Sequence, residues 1–402
     1  MVQVPEIPRG IPPRRPGDRG RRISDRHVRR ARGKRERYPR HGDDAPSPRR
    51  GLRTRLISRA LPQLSRGARV DGDRYAVRHT VTATLPSALV LAAGLGTRLR
   101  PLTFCRAKAA VPVAGTPLIR RHLARLAAQG VRDIVVNLHH RPDTIAALVG
   151  DGATLGCRVR YSWEPVLLGS AGGPRHALTL LDNQFFLVNG DTLCDVDLAA
   201  LLGAHLARRA RVTLVVTSNP DPQRYGGIIS DANGWVTGFT RAGDARDAAH
   251  FVGVQIVDAS VFEPLPDGVP TASIGGLYDT LLAKPEQVAA HNVDGRFHDI
   301  GTPADYLDTT RAVDAAEGQP SVSFGLRSVA HPSAQLERSV LWDDVTIEAG
   351  CVVTDSIITD GVRLVEGTTL NRQAVVLAPA SLEEATALPG AIRIGELLAV
   401  PI

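Results

Sequence analysis

The hydrophobic pattern from about Ala83 onward predicts alternating strands and helices. Short apolar runs bounded by turn residues occur at 88–93 (ALVLAA), 133–138 (DIVVNL), 185–190 (FFLVNG) and 212–218 (VTLVVTS). Such runs are typical of parallel strands that are buried on both faces. Apolar residues at helical spacing predict helices between Thr116 and Gly130, near 174–181 and near 197–208. This alternation predicts an α/β domain over residues 83–318 with a doubly wound, mostly parallel sheet.

A different period follows after about residue 320. Large aliphatic residues recur every six positions, with one five-residue step, at Leu341, Ile347, Val353, Ile358, Leu364 and Leu370. A six-residue apolar period is typical of a parallel β-helix, in which each hexapeptide forms one side of a three-sided coil. We therefore predict a short, left-handed hexapeptide-repeat β-helix over 319–385 and a C-terminal tail over 386–402. The alternative is a small irregular β domain.

The first 82 residues carry no sustained apolar period. Residues 1–80 hold 22 Arg and one Lys against eight Asp and Glu, a net charge of +15. Because the whole chain has a net charge of +8, the remainder is acidic, at −7. Such a leader cannot bury enough apolar surface to offset the entropy of ordering, so we predict that it is disordered. An Arg-rich tail can bind nucleic acid, but a solvated tail or an upstream start codon is the favoured interpretation.

Composition excludes several classes of protein. The sequence contains no run of eighteen apolar residues, so we predict no transmembrane helix and expect no membrane partner. The N-terminal arginines precede no apolar stretch, which excludes a secretory signal. The four cysteines form no CxxC pair, so we expect reduced thiols in a cytoplasmic protein rather than a zinc site.

A glycine turn with nearby positive charge follows the first predicted strand. In the turn GLGTR, Gly94 and Gly96 lack side chains, so backbone N–H groups can approach an anion. Arg98 can fork onto phosphate oxygens, and Lys108 offers a point charge for a second phosphate. The turn lacks the GK[ST] of a P-loop, and Leu99 stands at the third glycine position of G-x-G-x-x-G. These absences disfavour P-loop NTPases and dinucleotide-dependent dehydrogenases.

Two acidic residues are further candidates: Asp191 at the end of a predicted strand and Asp299 just before a Gly-Thr-Pro turn. Asp191 ends the apolar stretch LVNGD, and Asp299 lies in FHDIGTPADY. Either carboxylate alone would be explained equally well as a helix cap. Two carboxylates together with substrate phosphate oxygens are the ligands that Mg²⁺ prefers.

Five motifs, in this order, resemble the sugar-1-phosphate nucleotidyltransferases, also called nucleotide-sugar pyrophosphorylases. They are LAAGLGTRLRPLT…AK…VPVAGTPLI, LGSAGG, VNGD, YGGI and HDIGTPADYL, and the resemblance covers residues 86–315. It implies a Rossmann-like nucleotidyltransferase domain that joins a sugar 1-phosphate to a nucleoside triphosphate with Mg²⁺ and releases pyrophosphate. LGSAGG is nearest to mannose-1-phosphate guanylyltransferase-like members, which favours GTP over UTP or dTTP.

The resemblance also implies a role for each site residue. Nucleotide binding would involve Ala93, Gly94, Gly96, Thr97, Arg98, Glu164 and Gly169. The sugar would lie against Tyr225 and Gly226, and Mg²⁺ would bind Asp191 and Asp299. The catalytic residues would be Arg98, Lys108 and Asp191.

Two departures from the family pattern concern the turn before the lysine and the sugar site. Ala107 replaces the usual proline before the lysine, which we expect to loosen that turn. The Glu-Lys-Pro motif that usually follows YGGI is absent, and FTRAGDARD (239–247) stands in its place. The identity of the sugar is therefore open, and neither Asp244 nor Asp247 is favoured as a substitute for the glutamate.

Three alternatives remain beside guanylyl transfer to mannose 1-phosphate. The first is uridylyl or thymidylyl transfer to another sugar 1-phosphate. The second is a regulatory paralogue that binds nucleotide sugars without turnover. The third is a hexapeptide acyltransferase, for which His331 is the only candidate catalytic histidine. In each case the flat apolar surfaces of a β-helix lead us to expect a homo-oligomer.

Overall fold

The computed structural model describes residues 85–244, 246–295, 297–378 and 388–402. The predicted leader, residues 1–82, lies outside these ranges. Within them, no helix combines the length and the apolar character needed to cross a membrane.

The first part of the described chain alternates strands and helices. Its strands are β1 (Ala88–Leu91), β2 (Pro112–Val113), β3 (Thr116–Pro117), β4 (Asp133–Leu138), β5 (Arg158–Trp163), β6 (Gln184–Asn189), β7 (Thr192–Cys194), β8 (Val212–Thr217), β9 (Ile228–Ser230), β10 (Val236–Phe239), β11 (His250–Asp258), β12 (Val288–Asn292) and β13 (Phe297–Asp299). Its α-helices are α1 (Leu118–Ala128), α2 (Pro142–Val149), α3 (Gly169–Ala177), α4 (Leu198–Arg208), α5 (Tyr278–Leu281) and α6 (Pro303–Ala316). Between β1 and β2, 3₁₀ turns cover Thr97–Leu99, Leu102–Phe104 and Lys108–Ala110.

Seven of these strands form one twisted sheet in the order β12-β8-β11-β6-β1-β4-β5. Strand β11 runs antiparallel to β6 and β8, whereas every other neighbouring pair in this sheet is parallel. The predicted Rossmann-like α/β domain with a mostly parallel sheet is thereby confirmed. Its carboxyl edge, where β1, β4 and β6 end side by side, is the expected place for a ligand.

Both faces of the sheet are covered, which explains the continuous apolar runs. On β1, Val90 packs on one side with Ile119 and Leu123 of α1, and all three are fully buried. Leu89, its neighbour in sequence, belongs to the cluster on the opposite face together with Phe185. Because successive side chains of a strand point to opposite faces, a sheet covered on both sides favours apolar residues at successive positions.

The first helix starts two residues later than predicted. Thr116 and Pro117 are extended and pair with Val113 and Pro112 in the short β2–β3 hairpin. Helix α1 begins at Leu118. Helical backbone angles are disfavoured for a residue that precedes proline, so Thr116 takes the extended conformation instead.

The second part of the chain consists of short strands. They are β14 (Ser323–Phe324), β15 (Val329–Ala330), β16 (Gln335–Glu337), β17 (Val340–Leu341), β18 (Thr346–Ile347), β19 (Val352–Thr354), β20 (Ile357–Ile358), β21 (Arg363–Leu364), β22 (Thr369–Asn371), β23 (Gln373–Leu377), β24 (Ile392–Ile394) and β25 (Leu397–Pro401). Three sheets result, with parallel order β14-β17-β20-β23, β15-β18-β21 and β16-β19-β22. Neighbouring strands pair at a constant offset of 17 residues, as in Ser323 with Val340 and Val340 with Ile357.

The 17-residue offset equals the sum of the six-, six- and five-residue steps in the apolar pattern. All six residues of that pattern are buried in one cluster. The parallel sheets fit the coils of a β-helix, while the left-handed winding stays a prediction.

The C-terminal residues add to this structure instead of trailing from it. Strand β25 pairs antiparallel with β23, and β24 pairs with β25. Leu398 and Val400 are buried against Val376. The prediction of a tail over 386–402 is therefore wrong for β24 and β25, and the apolar run 397–400 was a visible strand signal.

Candidate active site

A cavity of about 270 Å³ lies at the carboxyl ends of β1, β4 and β6. Its lining consists of Leu91, Ala92, Ala93, Gly94, Lys108, Ala109, Asn137, Glu164, Leu167, Gly169, Ser170, Asn189, Gly190 and Asp191. Six residues predicted from the sequence are in this set: Ala93, Gly94, Lys108, Glu164, Gly169 and Asp191. The fold therefore brings together segments that are up to about one hundred residues apart in the chain.

The two glycines of the turn after β1 have different roles. A Cβ atom added at Gly94 would meet nothing within 4 Å, so its backbone is open toward the cavity. Gly96 has φ +61°, and a Cβ there would lie 2.7 Å from Thr103 Cγ2 and 3.2 Å from Lys108 Cβ. The Thr103 hydroxyl also donates to the Gly96 carbonyl at 3.0 Å. Only Gly94 thus leaves room for a ligand, whereas Gly96 is needed for the close packing of the turn.

Lys108 and Asp191 form an ion pair in the cavity. The Lys108 Nζ atom lies 2.6 Å from Asp191 Oδ2, and the lysine side chain is only 13% exposed. Lys108 begins a 3₁₀ turn, and Asp191 follows the last residue of β6 by two positions. One contact therefore joins the segment after β1 to the end of β6.

The turn before Lys108 is held by a hydrogen bond from the backbone of Ala107. Ala107 is fully buried, and its φ of −55° lies within the range of proline. Its N–H donates to the Thr144 hydroxyl at 3.1 Å, a bond that proline would lose. The expected loosening of this turn is therefore offset by the contact with α2.

Strand pairing places Asp299 beside Asp191. Strands β13 and β7 are antiparallel, with Asp299 opposite Thr192, and the Ile300 N–H donates to the Asp191 carbonyl at 3.2 Å. Burial raises the pKa of Asp299, Lys108 lowers it, and the Asp191 charge raises it further, with a net upward shift. Two carboxylates and one ammonium thus influence one another at short range.

Arg98 approaches this acidic pair from the glycine turn. Its side chain is exposed, and its positive charge lowers the pKa of Asp299 against the larger effects of burial and of Asp191. Gly301 lies close to both side chains, since a Cβ atom added there would be 3.3 Å from Arg98 Nη1 and 3.1 Å from Asp299 Oδ2. Neither Arg98 nor the neighbouring Thr97 lines the cavity itself, and Arg98 lies at its Asp299 side.

Glu164 holds the walls of the cavity together. It is fully buried; Oε1 accepts from Asn137 Nδ2 at 2.7 Å and Oε2 from the Leu168 N–H at 2.9 Å. Asn137 Oδ1 in turn accepts from the Ala92 N–H at 2.6 Å. Both carboxylate oxygens are therefore engaged by the protein. Asn137 was not among the predicted site residues, and its signal was a polar residue near the carboxyl end of an apolar strand.

The glycines of LGSAGG permit close packing at the start of α3. Gly169 has φ +78°, and a Cβ there would lie 2.8 Å from the Thr271 carbonyl oxygen. A Cβ at Gly173 would lie 2.6 Å from Glu164 Oε1. Glycine is thus required at 169 by the nearby Thr271 backbone and at 173 by the Glu164 side chain. The same packing places Gly169 in the cavity wall.

Tyr225 and Gly226 lie outside the cavity lining, toward Asp299. The Arg224 guanidinium lies over the Tyr225 ring, 5.0 Å from its centroid. Its Nη2 atom is 2.6 Å from Asp305 Oδ2 and 3.9 Å from Asp299 Oδ2. Arg224, which the sequence analysis did not select, therefore links the YGGI loop to the acidic side of the site.

The pair Asp191 and Asp299 fits a hard divalent cation. Both offer carboxylate oxygens, the donor type that Mg²⁺ binds, and an added cation would relieve their mutual repulsion. Across the described ranges, no cluster of three or more His, Cys, Asp or Glu residues forms a metal cage. Such a cation would therefore need ligands from water and substrate phosphates, as Mg²⁺ commonly does.

Replacing Glu164 by alanine should destabilise the fold by about 2–4 kcal/mol, because two buried donors lose their acceptors. Urea unfolding followed by circular dichroism measures the change. Glu164→Gln, which retains one acceptor oxygen, is the matched control and should lose less. An unchanged urea midpoint for Glu164→Ala would contradict the structural role.

Comparison with known proteins agrees with this geometry. The nucleotidyl transferase family profile matches residues 87–316. A mannose-1-phosphate guanylyltransferase from Mycobacterium tuberculosis is 31% identical over 295 residues, covering 66% of this chain and 82% of that protein. A UTP–glucose-1-phosphate uridylyltransferase from Synechocystis is 28% identical over 306 residues, covering 69% and 76%.

A solved structure supports the fold alone. The crystal structure of HddC from Yersinia pseudotuberculosis superposes with a TM-score of 0.51 at 24% identity and covers 57% of this chain and all of that one. The family match, covering more than half of the chain, agrees with the five motifs and with the cavity at the sheet edge. The chain therefore belongs to the nucleotidyl transferase family and is a sugar-1-phosphate nucleotidyltransferase.

Proposed function

We propose that the protein transfers the guanylyl group of GTP to mannose 1-phosphate, with Mg²⁺ as cofactor, and releases pyrophosphate. The contact between Lys108 and Asp191 carries this proposal, since it joins the cation and the acid inside one cavity. The choice of substrate rests on the similarity to the mycobacterial guanylyltransferase and on the LGSAGG motif.

The reaction joins two anions, so its main demand is charge neutralisation. A phosphate oxygen of the sugar 1-phosphate attacks the α-phosphorus of the nucleotide, and the bond to the pyrophosphate oxygen breaks. Because the nucleophile is already ionised, no strong general base is needed. Positioning and electrostatic stabilisation then supply most of the acceleration.

The residues of the site suit these tasks. Lys108 neutralises the sugar phosphate and the reacting α-phosphate, and Arg98 binds the phosphates that leave as pyrophosphate. The open backbone at Gly94 approaches the triphosphate. Asp191 and Asp299 would hold Mg²⁺, which supplies further neutralisation of phosphate charge.

Glu164 contributes by position rather than by direct contact with the base. Its two oxygens are engaged by Asn137 and Leu168, so it holds the wall against which base and ribose would lie. Tyr225 and Gly226, on the Asp299 side, would lie against the sugar.

Uridylyl transfer to glucose 1-phosphate is the second candidate, favoured by the similarity to the Synechocystis enzyme.

In either case we propose that the C-terminal strands form a left-handed β-helix that mediates self-association. The exposure of Val329 in β15, and of Leu326 and Val365 between strands of this region, supports this proposal.

Pyrophosphate release should be fastest with GTP and mannose 1-phosphate, by at least about tenfold in kcat/KM over other pairs. The measurement is a coupled pyrophosphate assay over GTP, UTP and dTTP, each combined with mannose 1-phosphate and glucose 1-phosphate. A higher kcat/KM for UTP with glucose 1-phosphate would select the second candidate. No release with any pair would favour the regulatory paralogue.

A further inference from the structure

Four cations lie in the segment between the glycine turn and β2, but they point in different directions. Of Arg98, Arg100, Arg106 and Lys108, only Lys108 lines the cavity. Arg106, two residues before Lys108, is 8% exposed and points into the C-terminal strands. Its burial excludes a role as a solvated surface charge.

Two aspartates from successive coils bind the Arg106 guanidinium. Nε and Nη2 donate to the two carboxylate oxygens of Asp360 at 2.7 and 2.6 Å, and Nη2 also donates to Asp343 Oδ2 at 2.6 Å. Asp343 and Asp360 are 17 residues apart, the offset of neighbouring coils. The Trp342 ring lies beneath the guanidinium, 5.3 Å from Cζ. The planar guanidinium of arginine can donate to both aspartates and lie over the Trp342 ring at once, whereas the ammonium of a lysine cannot.

The same strands also contact the segment that carries Asp299. The indole N–H of Trp342 donates to the Tyr306 hydroxyl at 2.8 Å, and both side chains are fully buried. Tyr306 lies in α6, which begins four residues after Asp299, and its hydroxyl donates to the Pro112 carbonyl at 2.5 Å. Through Tyr306, Trp342 is thus connected to the carbonyl of Pro112, four residues after Lys108.

Apolar packing connects the same three pieces. One buried cluster contains residues of the turn segment, of the start of α6 and of the C-terminal strands: Leu99, Leu102, Val111, Ile300, Tyr306, Trp342 and Ile357. Packed cores of this kind transmit a displacement of one element to its neighbours.

We propose that Arg106 is a positioning residue for catalysis, through which the C-terminal strands hold Lys108 at the reacting phosphates. The inference rests on the role proposed for Lys108. A buried ion pair contributes little net stability, because desolvation offsets the attraction between the charges. Its larger effect is on geometry, and misplacement of a catalytic group by about 1 Å can lower a rate by about a hundredfold.

Arg106→Lys retains the charge but loses the fork, so kcat should fall by about tenfold or more while both KM values stay within about twofold. Steady-state pyrophosphate release measures the two constants separately. Arg311→Lys is the matched control, since Arg311 of α6 pairs with Asp355 at 3.3 Å across the same two parts of the chain without contacting Lys108. Its kcat should equal that of the wild type.

Asp360→Asn tests the same contact from the other side. It should lower kcat as Arg106→Lys does, and the double variant should be no slower than the slower single variant, because both changes break one interaction. A wild-type kcat in folded Arg106→Lys and Asp360→Asn would overturn the inference. Equal losses of kcat in Arg106→Lys and Arg311→Lys would also overturn it, as they would indicate general destabilisation.

Comparing Lys108→Ala with Arg106→Lys distinguishes failure of the positioning role from failure of the proposed function. If Lys108→Ala is inactive and Arg106→Lys has wild-type kcat, only the positioning role fails. If Lys108→Ala is active, the catalytic role of Lys108 fails, whatever the result for Arg106.

Discussion

Lys108→Ala should lower kcat/KM for pyrophosphate release by about a thousandfold, with the fold preserved. The Lys108 ammonium lies in the cavity at 2.6 Å from Asp191 Oδ2. When two polyanionic substrates enter, it is the cation best placed to move from this carboxylate to their phosphates. Without it, repulsion between the substrates is left uncompensated at the reacting centre.

Lys284→Ala is the matched control, because Lys284 is an exposed lysine outside the cavity. It should have wild-type kinetics. Thermal unfolding followed by circular dichroism should give similar midpoints for both variants, which separates chemistry from stability. Near-normal pyrophosphate release by Lys108→Ala would refute the assigned role.

Asp191→Asn should lower kcat by about a hundredfold or more and raise the Mg²⁺ concentration needed for half-maximal activity. Asparagine removes one of the two negative charges but keeps an oxygen acceptor for Lys108, so the fold should persist. Pyrophosphate release as a function of Mg²⁺ concentration measures the first effect. Calorimetric titration of Mg²⁺ with a non-hydrolysable nucleotide measures metal binding without turnover.

Asp195→Asn is the control for this prediction. Asp195 lies four residues further along the chain, with a side chain that is 88% exposed, and it pairs with Arg125 at 3.3 Å. Its removal should leave the Mg²⁺ dependence unchanged. If Asp191→Asn shows the wild-type Mg²⁺ requirement, Asp191 is not a metal ligand.

Local patterns carried much of the fold, as two elements illustrate. The apolar run of β4 at 133–138 coincides with the observed strand, because a strand covered on both faces favours successive apolar residues such as Ile134, Val135 and Val136. The spacing of Leu341, Ile347 and Val353 anticipates the C-terminal coils, since each coil must bury one residue per side. The C-terminal strand β25 was missed, although its apolar run at 397–400 is of the same kind as those of the predicted strands.

The site was only partly visible in the sequence. Motifs selected Lys108, Asp191 and Glu164, and all three line the cavity. The resemblance placed Glu164 near the base and ribose, and the structure adds that its two oxygens accept hydrogen bonds from Asn137 and Leu168. Hydrogen-bond partners depend on which strand ends are neighbours, and that order is a property of the folded sheet.

Local periodicity and motifs were enough to predict most of the strands and helices, the family and the residue types that can neutralise phosphate. The place where each charge acts depends on the folded chain. Lys108 faces the cavity and Arg106, two positions earlier, faces Asp343 and Asp360. No local pattern distinguishes these two cations, since their partners lie 83 and more than 230 residues away and meet them only when the chain is folded.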